Sequence, residues 1–367
     1  MDIIGIICEY NPFHHGHKYM IDKIKELYPN SIIILCLNGY FTQRGNISIE
    51  TKEEKTRLAL KYGVDIVIEH PFFFSSNSSD TFAESAITML NELGINKLIF
   101  GSESNDIETL KELANKQLDP NFDELVKKYM DEGINYPTAL NKALGKSIDT
   151  PNDLLGISYI KAILKNKYNI EPITIQRTNN YHDLDSNEKI ISANNIREKL
   201  KSQEDISKYI PEGNIISIDE NKLFNLIKYK ILTDDNLDKY LTVDEGIDNR
   251  LKEVINECNS LDELIKSIKT KRYTYNRISR MLIHILIGLT KEDRLNITTP
   301  DYIRLLGFTN KGKDYLNNLK NNPCITKVTN LKSKIFEYEL RCANIYKLIT
   351  NEDVLSFEFS NKPIINW

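Results

Sequence analysis

A short apolar segment at the start of the chain, followed at once by a turn rich in histidine, constrains the fold more than any other feature. Residues 3–8 read Ile-Ile-Gly-Ile-Ile-Cys, a pattern typical of a strand buried on both faces of a parallel sheet. From Lys18 onward, apolar residues recur at helical spacing, with charged residues between them. The sequence therefore predicts a strand, a turn and a helix, with Asn-Pro-Phe-His-His-Gly-His at residues 11–17 forming the turn.

This histidine turn, residues 11–17, is suited to bind a phosphate. Free backbone N–H groups and the positive end of the helix dipole meet at a helix N-terminus. His14 and His17 are three residues apart, so both imidazoles can face the same phosphate oxygens. Gly16 between them allows the backbone to approach closely.

The first 200 residues alternate short apolar segments with helical patterns, which predicts a doubly wound α/β fold built around a parallel sheet. Thr51 and Glu54 form a capping box for one helix, and Gly63 ends it. Residues 104–150 are polar and helical, as expected for an insertion that covers the nucleotide fold. Further strands are expected at residues 31–37, 64–68, 97–100 and 170–175. Ligands of such sheets bind beyond the carboxyl ends of the strands.

The length of 367 residues favours two domains, because a single hydrophobic core rarely grows that large. After about residue 203 the pattern is mainly helical, with clear candidates at residues 262–268 and 278–289. We therefore expect an α/β domain over residues 1–202 and an α-rich domain over residues 203–367.

The composition excludes several classes of protein. No run of eighteen apolar residues occurs, and the N-terminus begins with a core strand and not with a leader, so we expect a cytoplasmic protein without a membrane segment. The five cysteines include no CxxC pair, so neither a zinc site nor a disulfide framework is expected, and we predict no protein-bound metal site.

A second motif, Ser192-Ala-Asn-Asn-Ile-Arg197, reads as a helix start with an arginine one turn inside it. Ser192 can cap the helix or bind phosphate, and Arg197 can stabilise a pyrophosphate leaving group. Taken alone, the motif is also compatible with ordinary helix-start chemistry. Its combination with the histidine turn favours the phosphate site.

Residues 261–347 hold 17 Lys or Arg against 8 Asp or Glu, although the whole chain has a net charge of -4. Such asymmetry favours a polyanionic partner, while a solvated helical face rich in lysine is the alternative. Tyr273 and Tyr275 lie between the basic residues and are placed to stack on bases. The candidate RNA-binding residues are Lys269, Lys271, Arg272, Arg277, Arg280, Lys311 and Lys313.

With the two phosphate motifs at the ends of its α/β region, the chain resembles the HIGH-type nucleotidyltransferases. Within that superfamily it is most similar to the tRNA(Met) cytidine acetate ligases. The similarity spans nearly the whole chain and rests on these segments: 9–17 (EYNPFHHGH), 39–45 (GYFTQRG), 65–69 (DIVIE), 82–84 (FAE), 100–103 (FGSE), 181–183 (YHD), 305–308 (LLGF) and 311–312 (KG).

The resemblance implies a two-step reaction. Acetate attacks the α-phosphate of ATP to give acetyl-adenylate and pyrophosphate, and the exocyclic amine of the wobble cytidine of elongator tRNA(Met) then takes the acetyl group. The product is N4-acetylcytidine. The resemblance also implies Mg²⁺ with the ATP, and an anticodon loop in contact with the α-rich domain.

The residues that the resemblance assigns to ATP begin with the loop from Ile7 to Met20. His14 and His17 of this loop are candidate catalytic residues, and Arg197 of the second motif is the third. The candidate ATP-binding residues are Ile7, Cys8, Glu9, Tyr10, Asn11, Pro12, Phe13, His14, His15, Gly16, His17, Lys18, Tyr19, Met20, Gly101, Asn152, Arg177, Thr178 and Ser192. Gln43 and Arg44 are weaker candidates for orienting acetate or phosphate. Asn194 departs from the pattern, since the family usually has Ser or Thr there.

Two other functions share part of this evidence. A small-metabolite adenylyltransferase, of the pantetheine-phosphate or nicotinamide-mononucleotide type, would have the same histidine turn but would not need a long basic α-rich domain. A non-catalytic ATP-sensing or RNA-binding module would not need the intact His14, Gly16, His17 and Arg197.

Overall fold

The computed structural model describes residues 1–148, 150–177, 189–270, 273–360 and 362–366. The N-terminal part alternates strands and helices as expected from the sequence. Its strands are β1 (Ile3–Cys8), β2 (Ile32–Asn38), β3 (Ile66–His70), β4 (Lys97–Ser102) and β5 (Glu171–Gln176). Its helices are α1 (His15–Leu27), α2 (Lys52–Tyr62), α3 (Phe72–Ser75), α4 (Ser79–Glu92), α5 (Ile107–Lys116), α6 (Phe122–Asp131), α7 (Tyr136–Leu144), α8 (Pro151–Lys165) and α9 (Ala193–Lys201).

These strands form a parallel sheet in the order β5-β4-β1-β2-β3, so the chain winds in both directions from β1. Alternate side chains of the strands enter two different cores. One core contains Ile34 together with residues of α4 and α8, and the other contains Leu35 together with residues of α1 and α2. The predicted doubly wound α/β fold is confirmed. Its topological switch point lies between β1 and β4, where ligands of such sheets bind.

The C-terminal part is mainly helical, as expected. It includes the short 3₁₀ turn Leu237–Lys239, and most of its helices pack on a core of their own that also takes in aromatic residues of α3. The helices are α10 (Glu220–Thr233), α11 (Ile247–Val254), α12 (Leu261–Ile268), α13 (Tyr275–Ile287), α14 (Lys291–Asn296), α15 (Asn310–Asn318), α16 (Lys334–Thr350) and α17 (Leu355–Phe359).

Three strands of the C-terminal part join the sheet, which the sequence pattern did not indicate. They are β6 (Ile303–Thr309), β7 (Cys324–Ile325) and β8 (Ile364–Asn366). β6 pairs antiparallel with β3, and β7 and β8 each pair with β6. The division at residue 202 stays a prediction, but the chain beyond it contributes directly to the edge of the α/β sheet. Among the described residues, no helix is both long and apolar enough to cross a membrane.

A cluster of buried charges connects the two parts. We call Lys52 of α2, Glu69 of β3, Arg304 of β6, Glu339 of α16 and Glu358 of α17 the charge cluster, and each is at most 4% exposed. Lys52 Nζ lies 2.9 Å from Glu358 Oε1 and 3.1 Å from Glu339 Oε2. Burial alone would raise the pKa of Glu358, but Lys52 and Arg304 hold it at about 2. Burial raises the pKa of Glu339 to about 7.

Replacing Lys52 by Met should therefore destabilise the fold strongly, by about 3–5 kcal/mol, because it leaves buried carboxylates without their cation. The measurement is the free energy of unfolding in urea. Lys61→Met on the same helix is the matched control, since Lys61 is 53% exposed and pairs with Glu212 at the surface. Loss of such a surface pair costs at most about 1 kcal/mol. Equal effects of the two substitutions would contradict this account.

Candidate active site

A cavity of about 850 Å³ opens at the carboxyl ends of β1, β4 and β5, at the switch point of the sheet. We call it the cleft. Most of the predicted nucleotide loop lines it: Ile7, Cys8, Glu9, Tyr10, Asn11, His14, Gly16, His17, Tyr19 and Met20. Phe13 is instead fully buried behind the cleft, and Lys18 pairs with Asp22 at the surface.

The histidine turn is held by its own imidazoles. His14 is the N-cap of α1, and its Nδ1 accepts a hydrogen bond from Gly16 N at 3.0 Å. His17 Nδ1 accepts from His14 N at 3.3 Å, which completes a capping box. A side chain at position 16 would come within 2.7 Å of the His14 ring, so glycine is required there. Since Nδ1 of each ring accepts a hydrogen bond, the proton of each neutral imidazole resides on Nε2.

The expectation of free backbone N–H groups at this helix start is not met. His15 N donates to Tyr209 O at 3.1 Å, and Gly16 N is taken by His14. A phosphate would therefore meet the imidazoles of His14 and His17, whose ring centroids lie 3.9 Å apart, and the dipole of α1.

Both imidazoles are strongly biased towards the neutral form. Burial, and then the charge of Arg177, lower the pKa of His17 to about 3. Burial also lowers the pKa of His14 well below its usual value, with smaller contributions from neighbouring rings and from Arg177 and Arg197. Neutral rings donate through Nε2 without the cost of burying a charge before the nucleotide arrives.

Residues 46–50 hold the histidine turn from behind. Asn11 Nδ2 donates to Ile47 O at 3.1 Å, and Asn11 Oδ1 accepts from Ile49 N at 2.9 Å. Phe13 N donates to Glu50 Oε2 at 2.7 Å. Burial raises the pKa of Glu50 to about 8.

Lys55 of α2 fixes the ends of β1 and β2. Its buried Nζ donates to the carbonyl oxygens of Glu9, Asn38 and Gly39 at 3.1, 2.7 and 2.6 Å. Sequence reasoning did not assign Glu50 or Lys55 to the site, since neither belongs to a motif and their contacts come from packing.

The second motif lies against the first. Ser192 caps α9 by accepting from Asn195 N at 3.2 Å, and it also lines the cleft. Arg197 Nη1 donates to Asn11 O at 2.6 Å, and its Nη2 donates to Asn194 Oδ1 at 3.2 Å. The guanidinium group thus bridges the start of α9 and the histidine turn.

The ends of β4 and β5 form the third side of the cleft. Gly101, Asn152 and Arg177, which the resemblance assigns to ATP, all line it. Glu103 arranges this side, because its carboxylate accepts from Asn152 Nδ2 at 2.6 Å and lies 3.9 Å from Arg177 Nε. The predicted residue Thr178 lies outside the described residues, as does the segment 181–183.

The cleft extends beyond the predicted nucleotide residues towards the helical part. Apolar and aromatic residues of the 104–150 insertion line it, together with the weaker candidates Gln43 and Arg44. The insertion residues are Met130, Tyr136, Leu140 and Ile148. Sequence reasoning predicted a cover here but did not identify these contacts, which depend on how α6 and α7 fold back.

The predicted RNA-binding residues do not form one face. Arg277 and Arg280 line the cleft, and Lys269 is exposed on the loop before α13. Lys311 instead contacts Ser31 O and lies 3.7 Å from Asp65, at the amino ends of β2 and β3. Lys313 follows it on α15. The other two predicted RNA-binding residues, Lys271 and Arg272, lie outside the described residues.

The two tyrosines between the basic residues differ in exposure. Tyr273 is buried, donates to Asp244 O and carries Arg277 on its ring, so it is not available to stack on a base. Tyr275 is 41% exposed.

No group of three or more His, Cys, Asp or Glu side chains that could hold a metal ion occurs among the described residues. All five cysteines are free thiols.

Comparison with known proteins relates the whole chain to one family. A model of the HIGH nucleotidyl transferase family matches residues 1–360. The tRNA(Met) cytidine acetate ligase of Clostridium perfringens is 36% identical over 402 aligned residues, which cover 100% of both chains. The ligase of the same name from Geobacillus sp. is 36% identical over 400 residues, again with 100% of both chains covered.

Solved structures agree with this relation. Thermotoga maritima TmcAL in its apo form superimposes with a TM-score of 0.88 at 26% identity, covering 100% of this chain and 99% of that chain. The same protein bound with alpha-thio ATP superimposes with a TM-score of 0.86 at 26% identity and the same coverage. The chain therefore belongs to the HIGH nucleotidyl transferase family and, within it, to the tRNA(Met) cytidine acetate ligases.

Proposed function

We propose that this protein activates acetate with ATP and transfers the acetyl group to the exocyclic amine of the wobble cytidine of elongator tRNA(Met), forming N4-acetylcytidine. The observation that carries the proposal is the hydrogen bond from Arg197 to Asn11 O, which joins the two predicted phosphate motifs in one cleft. The names of the full-length relatives support the substrate, and the alpha-thio ATP complex of Thermotoga maritima TmcAL supports the nucleotide.

In the first step, a carboxylate oxygen of acetate forms a bond to the α-phosphorus of ATP, and the bond to the pyrophosphate oxygen breaks. His14 and His17 donate Nε2–H to phosphate oxygens, and Arg197 stabilises the charge that develops on pyrophosphate. No covalent enzyme intermediate is needed, because alignment and charge stabilisation are sufficient. Gly101, Asn152, Arg177 and Ser192 complete the nucleotide site.

In the second step, the cytidine amine attacks the carbonyl carbon of acetyl-adenylate, AMP leaves with the bonding electrons, and the amine loses a proton to solvent. The cleft has room for an acceptor because it extends past the nucleotide residues to the insertion and to α13. An anticodon loop presents unpaired bases, so a flipped cytidine needs no melting of a duplex.

The site suits a Mg²⁺ ion that is bound together with ATP, and not one that the protein holds alone. Magnesium in nucleotide sites is held mostly by phosphates and water, with one or two carboxylates. Glu9 is the carboxylate that lines the cleft at the end of β1, and it would hold the ion. Bound there, Mg²⁺ would neutralise charge on the triphosphate.

His14→Ala and His17→Ala should each lower acetate-dependent exchange of pyrophosphate into ATP by at least about 100-fold, since each removes a donor to the phosphates. The exchange is measured without RNA, and tRNA affinity is measured separately and should stay within about two-fold of wild type. Lys23→Ala, on the exposed side of α1, is the control. Absence of acetate-dependent turnover, even after tRNA is added, would favour a small-metabolite adenylyltransferase instead.

The imidazole of His17 should remain neutral at pH 5 in the free protein, because burial and Arg177 lower its pKa to about 3. Long-range ¹H–¹⁵N correlation spectra of the ring nitrogens measure this directly. The free energy of unfolding depends on pH through this ring, because the unfolded ring takes up a proton near pH 6.5 and the folded ring does not. This group therefore lowers the free energy of unfolding as the pH falls from 6.5 towards 3. A charged ring at pH 5 would refute the assignment.

Glu50→Ala should reduce the exchange rate at least ten-fold and cost about 1–3 kcal/mol of stability, because Phe13 N loses its buried acceptor. Glu50→Gln should retain most activity, since burial raises the pKa of Glu50 to about 8 and an amide oxygen can accept the same bond. Comparing kcat and KM for ATP in both variants measures the effect. Equal losses of exchange activity in Glu50→Ala and Glu50→Gln would show that activity does not depend on the hydrogen bond from Phe13 N.

A further inference from the structure

A second pair of cationic side chains lines the cleft on the side of the helical part. Arg277 and Arg280 lie on the first turns of α13 and border the same cavity as His14 and His17. Arg177 and Arg197 are the guanidinium groups that depress the pKa of His14, whereas the neighbouring charge that acts on Arg280 is Arg277.

Arg280 is a cation that has no anionic partner within the part of the chain that the structure describes. Its Nη1 donates to Asn77 O at 3.0 Å and to Gln43 O at 3.4 Å, and both acceptors are neutral carbonyls. Its Nε is shielded from solvent and has no hydrogen-bond partner among the described residues. No described carboxylate forms an ion pair with the Arg280 side chain. Burial, and then the charge of Arg277, lower the pKa of Arg280 to about 10. A buried charge that lines a cavity and lacks a partner is stabilised when an anion binds there.

Arg277 is oriented by its neighbours. Its guanidinium lies 4.2 Å from the centroid of the Tyr273 ring, and its Nη2 lies 3.6 Å from Asp244 Oδ2. Both partners of that ion pair are partly exposed, so the pair is weak. The stack on Tyr273 fixes the plane of the guanidinium group one turn of helix away from Arg280. Two like charges at this spacing repel each other, and a shared anion would remove that repulsion.

The position of this pair relative to the chemistry is fixed by the loop 42–46. Gly45 has a φ of +79°, and a side chain there would come within 2.6 Å of the Arg280 backbone, so the loop packs directly on α13. Gln43 N donates to Glu9 Oε1 at 2.6 Å, while Gln43 O accepts from Arg280. Gln43 therefore connects the end of β1 with the arginine pair.

We propose that Arg277 and Arg280 bind a backbone phosphate of the RNA nucleotide that presents the acceptor amine. This inference rests on the proposed function. A planar guanidinium group matches the oxygens of a phosphate in a bidentate contact. The loop before α13 carries Lys269, which is exposed, and the sequence continues with Lys271 and Arg272. Two arginines in the cleft and an exposed lysine on the preceding loop suit a polyanionic strand, whereas a single acetate would need only one cation.

The test compares two reactions of the full-length protein. Arg277→Gln and Arg280→Lys are each assayed for acetate-dependent pyrophosphate exchange without RNA, and for acetyl transfer to an unmodified elongator tRNA(Met) transcript. We expect exchange to keep its KM values for ATP and acetate. The KM for tRNA should rise about ten-fold or more in Arg277→Gln. The slope of log KM for tRNA against log salt should fall by about 1. Arg280→Lys keeps the positive charge and is the replacement closest to Arg280 in its contacts with the loop 42–46. The KM for tRNA should therefore rise less in Arg280→Lys than in Arg277→Gln.

Arg341→Gln is the matched control, since Arg341 is an exposed arginine of the helical part that does not line the cleft. An increase in KM for acetate during exchange would show that the arginine pair binds the carboxylate and would overturn the proposal. Parallel losses in both reactions would assign the pair to the scaffold, and an unchanged KM for tRNA in both variants would also overturn it. Absence of acetate-dependent turnover in the wild type, both without and with tRNA, would instead refute the proposed function.

Discussion

The buried charge cluster around Lys52 determines how the two parts of this molecule face each other. Lys52 and Glu69 come from the α/β part, whereas Glu339 and Glu358 come from the last helices of the chain. Each charge is out of water, so each must keep its partners, and a sliding movement of the helical part would leave charges unpaired. Helices α13 and α16 share one core, so fixing α16 also fixes α13. The cluster therefore holds Arg280 at a set position relative to the end of β1.

This arrangement divides the cleft between two kinds of chemistry. The α/β side supplies neutral imidazoles and an arginine held by Asn11 O, which suits a nucleotide whose own phosphates bring the charge. The helical side supplies Arg280, which has no anionic partner among the described residues, and Arg277, whose ion pair with Asp244 is partly exposed. Such a pair suits a strand that brings phosphates from outside. Two buried residues that do not line the cleft stabilise the α/β side. Lys55 holds the ends of β1 and β2, and Glu50 holds the histidine turn. Rigid support of this kind is what precise alignment of two substrates requires.

Local sequence patterns predicted the α/β part well because its elements are specified locally. Thr51 and Gly63 mark the ends of α2 in the structure as in the sequence, and Ser192 caps α9. The strand β6 was missed because it lies in a long helical region and its partner β3 is more than 230 residues away. The expectation of free N–H groups at α1 failed partly for a related reason, since the acceptor of His15 N, Tyr209 O, comes from a distant loop. Lys311 was grouped with Arg277 by charge alone, but the chain after β6 places it at the amino ends of β2 and β3, whereas the cleft lies at the carboxyl ends of the strands.

Asn194 shows how the molecule accommodates a departure from its family pattern. A Ser or Thr hydroxyl at this position would donate and accept, whereas the Asn194 amide oxygen accepts from Arg197 Nη2 at 3.2 Å. The amide reaches further than a hydroxyl, so it can support the guanidinium group from within α9 while Nη1 holds Asn11 O. Arg197 Nη1 and Nη2 thereby each donate to a neutral oxygen, and these two bonds fix the plane of the guanidinium group. At this position Asn194 therefore orients Arg197, the residue that we propose to stabilise the pyrophosphate.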